Sequence, residues 1–533
     1  MTTNPLLGTR HLVRLALRRD RIVLPVWILL LGAIPAAVAG SYAELYKTEA
    51  ERQSLTTGMA ANPSLNLIYG PPFDLSDAGG FTVWRYGTLV PFFLAMACIF
   101  TVTRHTRQEE DTGRQELLSS GVLGRFAALT AGVVTGALTA AGTGLLTVVA
   151  LAGAGVPVSG AVAFGAAIAL VGLVFTAVGA ITAQLAEYAR TANGLAMAVL
   201  GIAFLLRAVG DAAKDVGWLS WLSPIGWSTQ VRPFAGERWW VLGLLLGTAI
   251  ALGAVAYALS TRRDVGLGLL PARPGPATAA PGLRSPLALA WRLHRGSFLG
   301  WTLAFAVMGA LFGSLAAGIG DVMGESQATR EMLARMGGAD QIVDAFLGTL
   351  GQIFAIIASM YGVQAALRMR AEEVAVRVEP LLATRVGRLR WTAGHLLFAL
   401  LGSAVMMAVA AVLAGLLHGL RVSDVANQVP SVLGATMAQL PAVWVVLGAT
   451  VLLFGFLPKY ATVAWAVAGV CVMLSLFGPV LQLSQVVQNI SPFTHVPKLP
   501  GAEFTATPLL WLAGISVVAL GVGLAGFRRR DIG

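Results

Sequence analysis

The hydrophobic positions of this chain fall in long unbroken runs. Residues 22–41 and 126–151 carry no charge at all. Either run, coiled as a helix rising about 1.5 Å per residue, crosses a hydrocarbon core of about 30 Å. Further runs of this kind predict twelve spans, at 22–41, 83–103, 126–151, 157–186, 191–210, 239–260, 298–318, 350–367, 392–418, 435–457, 461–484 and 508–527. Inside lipid the backbone must satisfy its own hydrogen bonds, which helices do within one segment. The short alternating strands of a membrane β-barrel are not present in the pattern. The expected fold is therefore an all-α integral membrane protein.

Composition agrees. Of the 533 residues, 56% are hydrophobic and only 12% are charged, against about 25% charged in ordinary soluble domains. That is too little charge to cover a soluble particle of this size. The formal net charge is +11, supplied by arginine grouped in particular loops: Arg10 to Arg21, Arg104 to Arg125, Arg262 and Arg263, Arg368 to Arg390, and Arg528 to Arg530. Twelve spans put all these loops on one side, and the positive-inside rule makes that side the cytoplasm. The expectation is a multi-pass protein of the plasma membrane with both termini cytoplasmic, whose basic charge answers to lipid and not to nucleic acid. The opposite loops, 42–82, 211–238, 319–349 and 485–507, are longer, and Trp218, Trp221, Trp227, Trp239 and Trp240 suit an interfacial belt. Cys98 and Cys471 lie in apolar runs and read as core residues. The six histidines are scattered singly and read as structural. Residues 1–21 hold too many arginines before the first apolar run for an ordinary signal peptide.

The chain repeats itself. At an offset of 263, Arg107–Arg125 matches Arg370–Arg388 at 8 of 19 positions, Glu109, Glu110, Arg114 and Glu116 against Glu372, Glu373, Arg377 and Glu379 among them. Arg262–Gly266 (RRDVG) returns as Arg529–Gly533 (RRDIG), and Ser223-Pro224 as Ser491-Pro492, at nearly the same offset. The duplication is parallel, since each half starts and ends on the same side. The expected organisation is a first six-span half at 1–266, a Pro/Ala/Gly-rich linker at 267–285, and a second half at 286–533. Amphipathic stretches precede the first span of each half, at His11–Arg21 and Leu287–Arg295, and suit helices lying in the interface.

Candidate chemistry is defined mostly by what is missing. No lysine follows a glycine, so a phosphate-binding loop cannot form. No nucleophile–base pair is visible, and the chain reads as a non-enzyme without a metal site. The predicted spans hold no Asp or Glu, whereas a proton-driven carrier places a carboxylate in the membrane. Energy would then arrive from another chain. The repeated loop offers a place for it. Glu110 and Arg114, like Glu373 and Arg377, are four apart and could bridge along one short amphipathic helix, at 107–125 and 370–388. Beside each lie the leucines Leu117 and Leu118, or Leu381 and Leu382. A solvated loop obeying positive-inside needs only arginine, so glutamates kept in register speak for a docking surface.

Two six-span halves, each with E-E-x-x-x-R-x-E-x-L after its second span and a closing Gly-Arg, resemble the permeases of type 2 ABC exporters. More narrowly they resemble the fused actinobacterial exporters of polyketide antibiotics, of the tetronasin type. The resemblance implies two copies of a separate ABC ATPase, which would hold the ATP and magnesium, while this chain holds no cofactor. It implies that Glu109, Glu110, Arg114 and Glu116 in one half, and Glu372, Glu373, Arg377 and Glu379 in the other, belong to coupling helices. Gly113 is replaced by Val376 and Leu117 by Pro380 in the second copy, so the two docking sites are expected to be unequal. It also implies a lipophilic small-molecule pathway along the second and fifth spans of each half: Phe92, Phe93, Met96 and Phe100; Met197 and Phe204; Phe354, Met360 and Tyr361; Met473 and Phe477. The competing readings are a proton-driven carrier of the major facilitator kind, whose Gly-x-x-x-Asp loop motif is missing here, and a membrane sensor or scaffold that binds without transporting.

Overall fold

The structure is a computed structural model that describes residues 4–45, 52, 66–67, 69–119, 123–212, 215–264, 266–270, 275, 277–323, 339–477, 484–501 and 504–531. Among these residues the protein is all-α and has twelve helices long and apolar enough to cross a membrane. It is an integral membrane protein. The chain divides into two compact units, Met1–Gly275 and Pro276–Gly533.

The first unit begins with α1 (Thr9–Arg19) and α2 (Val23–Leu45). The break between them falls where Pro25 occupies the first turn of α2, a position at which the missing N–H costs nothing. The predicted span at 83–103 is two helices, α3 (Ala78–Tyr86) and α4 (Leu89–His105). Pro91 again stands in the first turn of the second. Two short helices follow, α5 (Arg107–Asp111) and α6 (Arg114–Ser119). Then come four long ones: α7 (Ala127–Gly153), α8 (Val158–Leu185), α9 (Ala189–Ala212) and, after a short α10 (Pro224–Gln230), α11 (Trp239–Ser260). The centre is α8, packed by α4, α7 and α11. Gly144 of α7 and Gly165 of α8 face each other so closely that a methyl on either would overlap the other's carbonyl oxygen. Small residues at such crossings let helix backbones approach where lipid supplies no hydrophobic drive. Along α7 the buried Thr135, Thr139, Thr143 and Thr147 each donate to the carbonyl four residues back, so none of these four hydroxyls is left bare. Near the chain stretch that sequence placed on the opposite side, Trp221 stacks on Trp240 at 5.6 Å, and Trp218, Trp239 and Trp240 are exposed.

The second unit has α12 (Pro286–Met323), α13 (Ala339–Val374), α14 (Val378–Leu382), α15 (Arg388–Val422), α16 (Val425–Met437), α17 (Leu440–Phe456), α18 (Ala464–Phe477) and α19 (Ala506–Arg529). Helix α12 differs from expectation. The stretch Leu287–Arg295 is not a separate interfacial helix but the first turns of a helix of 38 residues. No proline interrupts it, and Ser285 caps its start by accepting from the Ala288 N–H at 3.1 Å. Gly309 and Gly313 of α12 lie against Ala410 and Ala414 of α15, where a methyl would overlap carbonyl oxygens. Phe305, Phe354, Tyr361, Met406 and Phe454 belong to one continuous core.

The first part of the expected linker is not free chain. Leu269 and Leu270 donate from their backbones to Gln184 and Leu185 at 3.1 and 2.9 Å, and Leu270 forms a parallel bridge with Ala186. Residues 267–270 are thus docked on the end of α8.

Candidate functional site

The repeated charged loop follows α4 in the first unit and α13 in the second. Neither copy is the single helix that the sequence predicts. In the first, α5 and α6 are separated by Gly113, whose φ is +69°. In the second, α13 runs on to Val374, and the turn comes at Val376, with φ +56°. Gly113 and Val376 are counterparts at the offset of 263. Their turns are closed by matching backbone bonds: Gly113 to Glu110 at 3.0 Å and Val376 to Glu373 at 2.9 Å. The second unit therefore keeps the left-handed turn without the glycine that would adopt it freely.

This turn redirects the ion pairs. The expected Glu110–Arg114 and Glu373–Arg377 bridges do not form. Arg114 reaches Glu109 and Arg377 reaches Glu372, both at 3.7 Å. Glu110 pairs instead with Arg107 at 2.6 Å and with Arg263, whose two terminal nitrogens take both carboxylate oxygens at 2.6 and 2.8 Å. Glu373 repeats this with Arg370 at 3.1 Å and with Arg530 at 2.7 and 2.9 Å. Arg263 and Arg530 stand just past the last helix of their units, α11 and α19. Each is the second arginine of the repeated Arg-Arg-Asp. A second tie joins the same elements. Arg125 donates to the Thr261 carbonyl at 2.7 Å, and its counterpart Arg388 to the Arg528 and Arg530 carbonyls at 3.1 and 2.6 Å. A cation at a helix C-terminus meets unpaired carbonyls and the negative end of the dipole.

The four conserved-in-register charges of each loop therefore divide in two. Glu109, Glu110, Glu372 and Glu373 are turned inward and buried or nearly so, and Arg114, Glu116, Arg377 and Glu379 are exposed. Glu109 also takes Arg19 of α1, and Glu372 takes Arg368 at 2.9 Å. The side chains of Leu117 and Leu118 lie outside the described residues, while Leu381 and Leu382 pack against the core of the second unit.

The surroundings of the loops differ. In the first unit the N-terminal segment lies against residues 124–126: Gly124 donates to the Leu7 carbonyl at 2.8 Å and Phe126 to Pro5 at 2.9 Å. In the second unit a cleft of ≈ 520 Å³ opens beside Glu379, Leu382, Arg385 and Arg388. An adjoining one of ≈ 360 Å³ lies between Leu283, Leu381 and Trp391.

The apolar residues expected to line a pathway are not all together. Phe92, Met96, Met197 and Phe204 pack on one cluster of the first unit, Phe92 and Phe204 with ring centres 5.3 Å apart. Phe93 and Phe100, seven apart on α4, share an exposed face. In the second unit Phe354 and Tyr361 are enclosed in the core, the Tyr361 hydroxyl donating to the Phe398 carbonyl at 3.0 Å. Packing against α12 and α15 leaves those two no face for a ligand in this conformation. Met360 is half-buried and Met473 exposed; the side chain of Phe477 lies outside the described residues.

Several charged residues escaped the sequence reading. Arg263 and Arg530 were visible as a repeat, but their partners are more than 150 positions away. Arg207, fully buried in α9, pairs with Asp211 and donates to the Leu67 carbonyl at 2.9 Å; a search of the spans for carboxylates alone passes over it. His294 and His395 are not single but meet at 2.9 Å.

Fold and loops together define a multi-pass helical membrane protein made of two units, each with a charged loop after its second span. Comparison with known proteins gives the family. A family model described as "Multidrug efflux system permease Rv1217c, C-terminal domain" matches residues 283–528. The multidrug efflux system permease protein Rv1217c of Mycobacterium tuberculosis (strain ATCC 25618 / H37Rv) is 44% identical over 526 residues, covering 98% of this chain and 95% of that protein. The chain belongs to this family of multidrug efflux system permeases.

Proposed function

We propose that this protein is the transmembrane permease of an ABC-type exporter, moving lipophilic drugs or natural products of the polyketide-antibiotic kind out of the cell. The energy would come from ATP, with magnesium, on two copies of a separate ATPase. The arginine-rich ends of the bundle face the cytoplasm in this reading, and both chain termini lie there. The observation that carries it is the duplicated loop, kept not only in sequence but in its turn and ion pairs. A loop needed only for topology has no reason to keep both. The relative's description as an efflux permease supports the direction and the breadth of substrate.

In this reading the exposed Arg114, Glu116, Arg377 and Glu379 meet the ATPases, and Leu381 and Leu382 add an apolar contact. The inward Glu109, Glu110, Glu372 and Glu373 hold the loops in shape. Phe93 and Phe100, together with Met360 and Met473, offer adaptable apolar surface to a greasy substrate. Reversing the charge of the docking residues in both loops (Arg114→Glu, Glu116→Arg, Arg377→Glu, Glu379→Arg) is expected to release the co-expressed ATPase during purification. An ATPase that stays bound at the wild-type ratio would refute this docking face. Drug transport by the wild-type chain that needs no ATP and collapses with the proton gradient would replace the whole reading with that of a secondary carrier.

A further inference from the structure

Three features of the charged loops recur in both units, and two of them concern the last helix. The loop glutamate (Glu110 or Glu373) is gripped through both oxygens by an arginine from beyond that helix (Arg263 or Arg530). The arginine opening the third span (Arg125 or Arg388) bonds the last carbonyls of the same helix. The loop itself keeps its left-handed turn even where Val376 has replaced glycine. The details around the grip have drifted. Arg263 also donates to Gln184 at 2.6 Å and to the Leu267 carbonyl at 3.1 Å. Arg530 instead lies over the rings of Phe454 and Phe527, at 4.9 and 5.1 Å. What has survived that drift is the two-toothed contact between loop and last helix.

Stability alone is a poor reason for it. A partly buried ion pair often does no better than an apolar contact of the same shape, and each glutamate here gathers two arginines, leaving a net positive charge on the site. A planar guanidinium that takes both oxygens of a carboxylate does something an apolar contact cannot: it fixes distance and orientation together. We infer that Arg263 and Arg530 are positioning residues that bind the loop to the last helix of its unit, so that a displacement of the loop is delivered to α11 or α19 as a movement of one rigid piece. This rests on the reading of the loops as the place where an ATPase acts. It goes beyond that reading by naming the helix that receives the motion and the residue that transmits it.

The test uses the full chain with its ATPase, reconstituted in vesicles. ATPase retention, ATP hydrolysis and the accumulation of a lipophilic fluorescent dye are measured on the same preparation. With Arg263→Ala plus Arg530→Ala, the ATPase should stay bound and hydrolyse ATP within about twofold of wild type, while dye moved per ATP falls about tenfold, the size of an ordinary coupling between sites. Each single variant should fall part of the way. A double variant that keeps the wild-type ratio of dye to ATP overturns the inference. So does loss of the ATPase from the variant alone, since the arginines would then be building the docking face. A wild-type chain that binds no ATPase condemns the functional reading itself. If the alanine pair fails to reach the membrane, Arg263→Gln with Arg530→Gln, which keep a donor but no charge, take the same measurements with the same outcomes.

Discussion

Val376 shows how far one residue can be held away from its own preference. A β-branched side chain at φ +56° crowds its carbonyl, and for L-residues the left-handed region costs about 1–2 kcal/mol. The first unit places Gly113 there, where the conformation is free. Val376→Gly should therefore raise the thermal midpoint of the detergent-purified protein, by somewhat less than the strain because glycine also gains freedom in the unfolded chain. Gly113→Val should lower it. A Val376→Gly protein that melts earlier than wild type would mean the turn is not strained. A second pair separates the units at the closing Gly-Arg. A methyl on Gly124 would overlap the Pro5 carbonyl, whereas nothing lies near Gly387. Gly124→Ala should speed amide exchange at Leu6 and Leu7, and Gly387→Ala should leave exchange around Arg388 as it was. Equal effects would contradict the packing of the N-terminal segment. The sequence showed the glycine-to-valine exchange but not the sign of φ, because what imposes it is a set of contacts with distant residues.

Helices end where local chemistry is strong and continue where it is not. Proline in a first turn marks the starts of α2, α4 and α17, the last with Pro441 at its second position, and these starts follow from the letters. The fusion of the predicted amphipathic stretch with the first span in α12 does not, since a pattern of arginine and leucine suits a separate helix or the opening turns of a longer one equally. Nor do the loop pairings. Spacing of four predicts Glu110 with Arg114, and the turn at Gly113 defeats it by making Glu109 the nearer partner. Local rules hold until a tertiary bond competes, and here Arg263 competes. Contacts between helices depend on small residues in the same way. Gly313→Leu would drive a side chain into the backbone of α15, and overpacking of this kind costs about 1–3 kcal/mol. Gly514 of α19, where a side chain would point into open space, is the control: Gly514→Leu should leave the melting temperature within a degree or two, while Gly313→Leu lowers it clearly. Similar melting of the two variants would mean that α12 and α15 do not cross as closely as described.

At the scale of the whole chain, the duplication was legible because it was written three times in the same order, yet where one unit hands over to the next was not. A run rich in proline, alanine and glycine reads as an extended joint from its first residue. The first four residues of that run, however, are held. Leu269 and Leu270 donate their backbone N–H groups to the end of α8, and the Leu267 carbonyl accepts from Arg107 at 2.9 Å. The same Arg107 grips Glu110, so this stretch is part of the loop's own scaffold and not a tether between halves. Gly275, by contrast, is exposed and makes no close approach. A protease must draw several residues of backbone into an extended strand, which engaged amides resist. A cleavage site inserted after Gly275 should thus be cut in the native protein, with helix content by circular dichroism unchanged. The same site inserted between Leu269 and Leu270 should either resist cutting or, by breaking the scaffold, weaken the hold on Glu110 and lower the melting temperature. Equal cutting at both places with no thermal cost would return residues 267–270 to the linker and leave Arg107 without one of the contacts that seat the first loop.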